Sequence, residues 1–170
     1  MKKVVKFGGS SLASAEQFKK VGDIIRADKS RRYVVPSAPG KRSSSDTKVT
    51  DMLYSCYNLA IREKKFTSLL DEIHARYNEI IDGLNLELSL DHEFDMIREN
   101  FGKKIGRDYA ASRGEYLNGI IMANYLGFCF IDAAEVIRFH EDGSLDDEKT
   151  NELLSLRLEG EEFAVIPGFY

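Results

Sequence analysis

Val4-Val5-Lys6-Phe7-Gly8-Gly9-Ser10-Ser11 is a short apolar run carrying one lysine, followed by two glycines and two hydroxyls. The order reads as a strand, a tight turn and the start of a helix. Such an arrangement suits a phosphate group. The strand delivers the backbone, the glycines let it approach closely, and a helix N-terminus offers unpaired N–H groups to an anion. Lys6 on the strand adds a mobile full positive charge. An ordinary βα turn uses the same residue types, so both readings stand on this stretch alone. The spacings Gly-x-x-x-x-Gly-Lys and Gly-x-Gly-x-x-Gly, which mark the two commonest nucleotide-binding loops, are absent.

Downstream, Ser14-Ala15-Glu16-Gln17 fits a capping box with Ser14 as N-cap. Phe18, Val21, Ile24 and Ile25 follow at helical spacing and predict one buried face. Tyr33-Val34-Val35 predicts a second strand, closed by Pro36 and Pro39-Gly40. Strand, helix, strand implies a parallel pair with a crossover helix. Residues 40 to 47, Gly-Lys-Arg-Ser-Ser-Ser-Asp-Thr, form a polar loop at the C-terminal end of that strand, where ligands collect in open α/β sheets. The loop reads either as a cover for a charged ligand or as a solvated, flexible connection. Lys41-Arg42, with Lys48 further on, is a local basic concentration.

From Lys48 to about Lys65, Val49, Met52, Leu53, Cys56 and Ala60 are in helical phase. The stripe Phe66, Leu69, Leu70, Ile73, Tyr77, Ile80, Ile81 and Leu84 is the strongest amphipathic pattern in the chain, as core or helix–helix contacts are. His74 beside it has no second ligand at metal spacing and reads as structural. Asp91 is expected to cap a shorter helix carrying Phe94, Ile97 and Phe101. Residues 47 to 105 therefore predict a helical segment, long for one crossover and suggestive of a subdomain beside the sheet.

Arg107 to Leu117 is helical in its later part, continuing through Ile120 and Ile121 to Gly127. Ser112-Arg113-Gly114-Glu115 is unusual there, because glycine inside a helix costs about 1 kcal/mol against alanine. Either something approaches Gly114 closely, or Arg113 and Glu115 form a surface pair on a first turn. Phe128 to Asp132 predicts a third strand, Val136 to Phe139 a shorter edge piece, Glu141 to Ser144 a turn, and Asp146 to Leu158 a helix with Leu153, Leu154, Leu156 and Leu158 available for burial. Phe163-Ala164-Val165-Ile166 is a last apolar strand, running into Pro167-Gly168-Phe169-Tyr170.

The 170 residues suffice for one domain with a core, and 43% hydrophobic with 31% charged residues is ordinary for a globular protein. No apolar run approaches the roughly 18 residues of a membrane span, and the apolar run after Met1 is too short for a signal peptide. The net charge of −4 argues against broad nucleic-acid binding. Cys56 and Cys129 lack CxxC spacing and read as buried reduced thiols of a cytoplasmic protein, with a disulfide as the alternative.

Lys6-Phe7-Gly8-Gly9-Ser10-Ser11, Ser37-Ala38 after the second strand, Thr50-Asp51 opening the next helix, Ser112-Arg113-Gly114-Glu115 and Pro167-Gly168-Phe169 occur in this order. Together they closely resemble the N-terminal half of the aspartokinases, in the amino-acid kinase superfamily, over essentially all 170 residues. The resemblance implies a three-layer α/β/α fold with a mainly parallel sheet, of the carbamate kinase-like type, and ATP-dependent phosphorylation of the L-aspartate β-carboxylate. That reaction opens lysine, threonine and methionine biosynthesis. Lys6 matches the lysine that contacts the transferring phosphoryl group; Gly8, Gly9 and Ser10 match the turn under the ATP phosphates. Thr50 and Glu115 match aspartate-binding positions, Glu115 being suited to the α-amino group, and Ser37 and Arg113 match neighbours of that pocket. Mg²⁺ is implied as a cofactor held mainly through substrate phosphates, with no protein metal site, and the full-length enzyme as a homo-oligomer. The chain departs from many relatives at Pro39 and in the Ser43-Ser44-Ser45 loop.

An Arg-Gly-Gly-Ser-Asp stretch, the adenine-binding strands and the paired ACT domains of aspartokinases are not in the sequence. The chain is therefore expected to hold the aspartate-binding portion of the kinase domain without its C-terminal nucleotide-binding half, and to be inactive by itself. Two alternatives stand. One is another amino-acid kinase of the glutamate, acetylglutamate or uridylate type. The other is a non-catalytic binding or assembly module using residues 47 to 105 as an interface.

Overall fold

The computed structural model describes residues 1–169; Tyr170 lies outside them. Strand β1 (Lys3–Phe7) is followed by a four-residue 3-10 turn (Gly9–Leu12), helix α1 (Ala15–Arg26) and strand β2 (Arg31–Pro36). β1 and β2 are parallel, with Val5 paired to Val34 and Phe7 to Pro36. Ser14 caps α1 by accepting the Gln17 N–H at 3.4 Å. Phe18, Val21 and Ile25 are buried as expected, whereas Ile24 is 49% exposed. It lies just off the buried face.

Helices α2 (Val49–Ile61), α3 (Thr67–Gly83), α4 (Asp91–Gly102) and α5 (Arg107–Leu126) come next, then β3 (Cys129–Phe130), a single turn α6 (Ala133–Val136), α7 (Asp147–Arg157) and β4 (Ala164–Val165). The sheet order is β1-β2-β4-β3, every pairing parallel. Successive strand residues point to opposite faces, and the core follows that alternation. Val34 and Val165 join a large cluster with Leu12, Phe18, Leu53, Leu70, Phe101 and Ile121. Tyr33 and Ala164 face Ile131, Val136, Leu153, Leu154 and Leu158 on the other side. Helices α1–α5 thus cover one face and α6–α7 the other, giving the three layers.

Some expectations change. Residues 47 to 105 form no separate subdomain, because Leu53, Tyr77 and Phe101 lie in the same buried cluster as Val34 of the sheet. The third strand shrinks to Cys129–Phe130. Val136 ends a helical turn that Asp132 starts by accepting the Ala134 N–H at 3.0 Å. Phe139 pairs with Leu145 in an isolated bridge rather than in a strand. Leu156 is 57% exposed rather than buried. Asp91 begins α4 instead of capping it, and the Ser89 hydroxyl accepts its N–H at 3.1 Å. Cys56 is buried, and desolvation pushes its thiol up to about 12, so it stays protonated. Cys129 is only half-buried. His74 stacks on Phe94 with ring centroids 4.2 Å apart. Among the described residues no helix is long and apolar enough to cross a membrane.

Candidate functional site

The C-terminal ends of β1 and β2 are tied together just beyond the sheet. Phe7 O accepts the Ser37 N–H at 3.0 Å, and Gly9 O accepts the Gly40 N–H at 2.8 Å. Here the two chain segments touch backbone to backbone. A Cβ on Gly9 would come 2.8 Å from Ala38 O, and one on Gly40 would come 2.7 Å from Ser10 N. Neither position has room for a side chain. Pro39 O then accepts the Val49 N–H at 3.2 Å, which seats the start of α2 on the same loop.

These contacts enclose a cavity of about 470 Å³ lined by Gly9 and Ser10, by Ser37 through Lys41, by Lys48 and Thr50, and by Glu115. The volume falls in the range of about 300–1,000 Å³ usual for small-molecule sites, and the location follows the rule for open parallel sheets. A second cavity, of about 540 Å³, lies behind the loop against Arg42, Asp46, Arg76 and Glu79. Those charges are already paired with one another.

Helix α5 brings Glu115 to the cavity, and three contacts set its position. Gly114 lies against the post-β2 loop, where an added Cβ would sit 2.8 Å from the Ala38 Cβ. The fully buried Asn118, nearly one turn further, donates through Nδ2 to Ser37 O at 2.7 Å. From α3, Tyr77 donates its hydroxyl to Gly114 O at 2.8 Å. Close approach to Ala38 is therefore the reason for the glycine in this helix. Glu115 itself is half-buried and accepts the Gly168 N–H at 3.1 Å. Burial pushes its carboxyl pKa up, while the Lys6 ammonium and the Gly168 hydrogen bond pull it back in part.

Of the residues singled out in the sequence, Gly9, Ser10, Ser37, Thr50 and Glu115 line the cavity. Lys6 is exposed at the end of β1, close enough for its charge to act on Glu115. Gly8 is extended at φ −77°, ψ 166°, and a Cβ there would meet nothing within 4 Å. Neither Lys6 nor Gly8 is among the lining residues. Arg113 is not brought to the cavity either. Two positions from Glu115 on a helix is about 200° of rotation, and the guanidinium lies over the rings of Tyr109 and Tyr116 at 4.7 and 4.3 Å. The hydroxyls of Ser10 and Ser11 open a 3-10 turn, not α1, so the long-helix terminus expected beside the glycines is displaced to Ser14.

Gly40, Lys41 and Lys48 line the cavity without having been singled out as site residues. For the two lysines the signal was the basic concentration around the second-strand loop, and Gly40 stood in the Pro39-Gly40 pair that closes the strand. Asn118 and Gly168 reach the site through long-range hydrogen bonds to Ser37 and Glu115, which no local pattern announces.

The pattern of the amino acid kinase family matches residues 1–170. Aspartokinase 3 of Bacillus subtilis is 33% identical over 186 aligned residues, covering 99% of this chain and 40% of that protein. A chloroplastic aspartokinase 1 of Arabidopsis thaliana is 31% identical over 158 residues, covering 87% of this chain and 27% of its own length. Among solved structures, the aspartate kinase of Clostridium acetobutylicum superposes with a TM-score of 0.95 at 47% identity, over all of this chain and 39% of that one. Escherichia coli aspartokinase III, crystallised with aspartate and ADP, has a TM-score of 0.73 at 20% identity, a likeness of fold. The chain spans about 40% or less of the length of these relatives.

Proposed function

The chain belongs to the amino acid kinase family, and from that premise we propose that it forms the amino-acid-binding portion of an aspartate kinase. In this reading the β-carboxylate of L-aspartate attacks the terminal phosphorus of ATP, and the bond to the leaving ADP oxygen breaks. The observation that carries it is the pairing of a half-buried carboxylate, Glu115, with Thr50, Ser37 and the Gly9-Ser10 turn around one cavity.

The chemistry fits what these residues offer. A carboxylate nucleophile is ionised at neutral pH, so no strong base is required. The barrier is electrostatic, since an anion must approach a polyanion, and fixed positive charge with backbone donors lowers it. Lys6 at the strand end, with Lys41 and Lys48 at the cavity wall, supplies such charge. Glu115 answers a different need, taking the substrate ammonium in a partly desolvated place where the pair is worth more than in water. Thr50 and Ser37 offer hydroxyls for the substrate's carboxylates. Gly8 has no neighbour that requires it to be glycine, and open backbone there leaves room for phosphate oxygens. Mg²⁺ supplies charge neutralisation when bound and would be held through phosphate oxygens. Among the described residues no group of three or more His, Cys, Asp or Glu could hold a metal.

The test is an NMR titration of the 170-residue chain with L-aspartate, L-glutamate and UMP, with ADP release followed in parallel. Shifts at Thr50 and Glu115 with L-aspartate, and no turnover by the chain alone, are expected. Equal response to L-glutamate or UMP favours a different amino-acid kinase, and no response to any of the three refutes the binding role.

A further inference from the structure

We propose that Arg76 is a positioning residue for this site: from the interior of α3 it fixes the loop of residues 40–48, so that Gly40, Lys41 and Lys48 reach the cavity. The geometry is independent of the ligand, while the affinity argued below rests on the aspartate reading.

The Arg76 side chain is 3% exposed although it carries a full charge. A buried cation is stabilised by partners for its donors; here both terminal nitrogens are taken up, while Nε has no partner among the described residues. Nη1 donates to Thr47 O at 2.6 Å, and Nη2 donates to Gly40 O and lies 3.1 Å from the Asp46 carboxylate. Gly40 and Thr47 are the two ends of the polar loop, so one planar fork holds both. Asp46 is gripped again from within the loop, accepting from the Arg42 backbone N–H at 2.9 Å and from its Nε at 3.0 Å. Arg42 in turn reaches Glu79 at 2.9 Å, close to one turn beyond Arg76 on α3.

The consequence lies on the other side of the loop. Gly40, Lys41 and Lys48 line the cavity, and among the described residues neither lysine forms an ion pair. Their charges stay available to an anionic substrate. Ser43-Ser44-Ser45 brings no apolar anchor to the loop, and a loop without an anchor must be ordered at the expense of binding. Arg76 does that ordering beforehand. Lysine keeps the charge but lacks the fork that spans two carbonyls and a carboxylate.

Amide hydrogen exchange over residues 41–48 and calorimetric titration with L-aspartate are measured on the chain, on Arg76→Lys and on Asp46→Asn. Ile73→Val, which trims the buried face of the same helix, is the control. Arg76→Lys is expected to speed exchange in the loop and to weaken aspartate binding, each by about tenfold, with Asp46→Asn between it and the parent. Ile73→Val lowers the melting temperature and leaves both readouts unchanged, which separates positioning from general stability. Unchanged loop exchange in Arg76→Lys overturns the proposal, as does unchanged affinity where the parent binds aspartate. If the parent binds none, the aspartate reading fails and the exchange measurement still decides on Arg76. If Arg76→Lys does not fold, Asp46→Asn carries the same test with the same contrary outcome.

Discussion

Burial raises the proton affinity of Glu115, and Lys6 with the Gly168 N–H offsets this only in part. A folded state that holds a proton more tightly than the unfolded chain gains stability below the ordinary glutamate range of about 4.3. That gain is lost as pH rises through the raised value. At neutral pH the ionised Glu115 is therefore a cost, one that the proposed role assigns to binding, and Glu115→Gln is expected to melt at or above the parent temperature while losing aspartate affinity by on the order of tenfold or more. Thermal melts and calorimetry on the same samples check both halves. Aspartate affinity of the parent should weaken on acidification at a higher pH than an ordinary glutamate would give. The two N-terminal glycines separate in the same way. Gly9→Ala drives a Cβ to 2.8 Å from a backbone oxygen and is expected to cost roughly 1–3 kcal/mol in denaturant unfolding. Gly8→Ala meets open space and should unfold like the parent, its effect confined to ligand titrations. The sequence showed both glycines as one motif; which of them serves packing depends on Ala38 and Gly40, about thirty positions away.

Helix α5 gathers the site because Gly114 lets it approach the loop after β2. Gly114→Ala gains helix propensity of about 1 kcal/mol but presses on Ala38 at 2.8 Å, and overpacking of about 1–3 kcal/mol is expected to win. Combining it with Ala38→Gly should recover most of the loss, a coupling that a double-mutant cycle in urea reads directly. The misplaced glycine was visible in Ser112-Arg113-Gly114-Glu115, but its neighbour was not, since Ala38 belongs to another element. Long periodic helices such as α3 were legible because their stripe is local. Of the Val136–Phe139 edge piece, Val136 closes the turn that Asp132 caps, overriding its β-propensity, and Phe139 pairs in an isolated bridge with Leu145. The polar loop was legible as a loop only. Its anchor, Arg76, sits inside the α3 pattern and looks there like any charged residue. Asp46 carries a consequence for pH: Arg42 first, then the Thr47 N–H and the Arg76 charge, hold its carboxyl well below the usual range. The loop's grip is thus present above the ordinary carboxylate range and lost only in strong acid, which exchange of residues 41–48 against pH would show.

Across the whole molecule, one buried cluster joins α1 to α5 and one face of the sheet. Phe101→Ala, in the helical segment far along the chain from β1 and β2, is expected to cost about 3–5 kcal/mol and to shift the entire unfolding curve. Far-ultraviolet dichroism and tyrosine fluorescence should then move together as a single transition. Local patterns disclosed the parallel β1–β2 pair, but strand order β1-β2-β4-β3 depends on where crossovers return, which no local pattern encodes. The ordered motifs of the family resemblance pointed to the fold that the solved structures share. The central claim is that Glu115 makes this cavity a site for an amino acid rather than for any dianion. Calorimetric titration of the chain and of Glu115→Gln with L-aspartate and with succinate, which lacks the ammonium, tests it most directly. The parent is expected to favour aspartate by about tenfold or more and the variant to lose that preference; equal affinities in the parent, or a preference that survives the substitution, would contradict it.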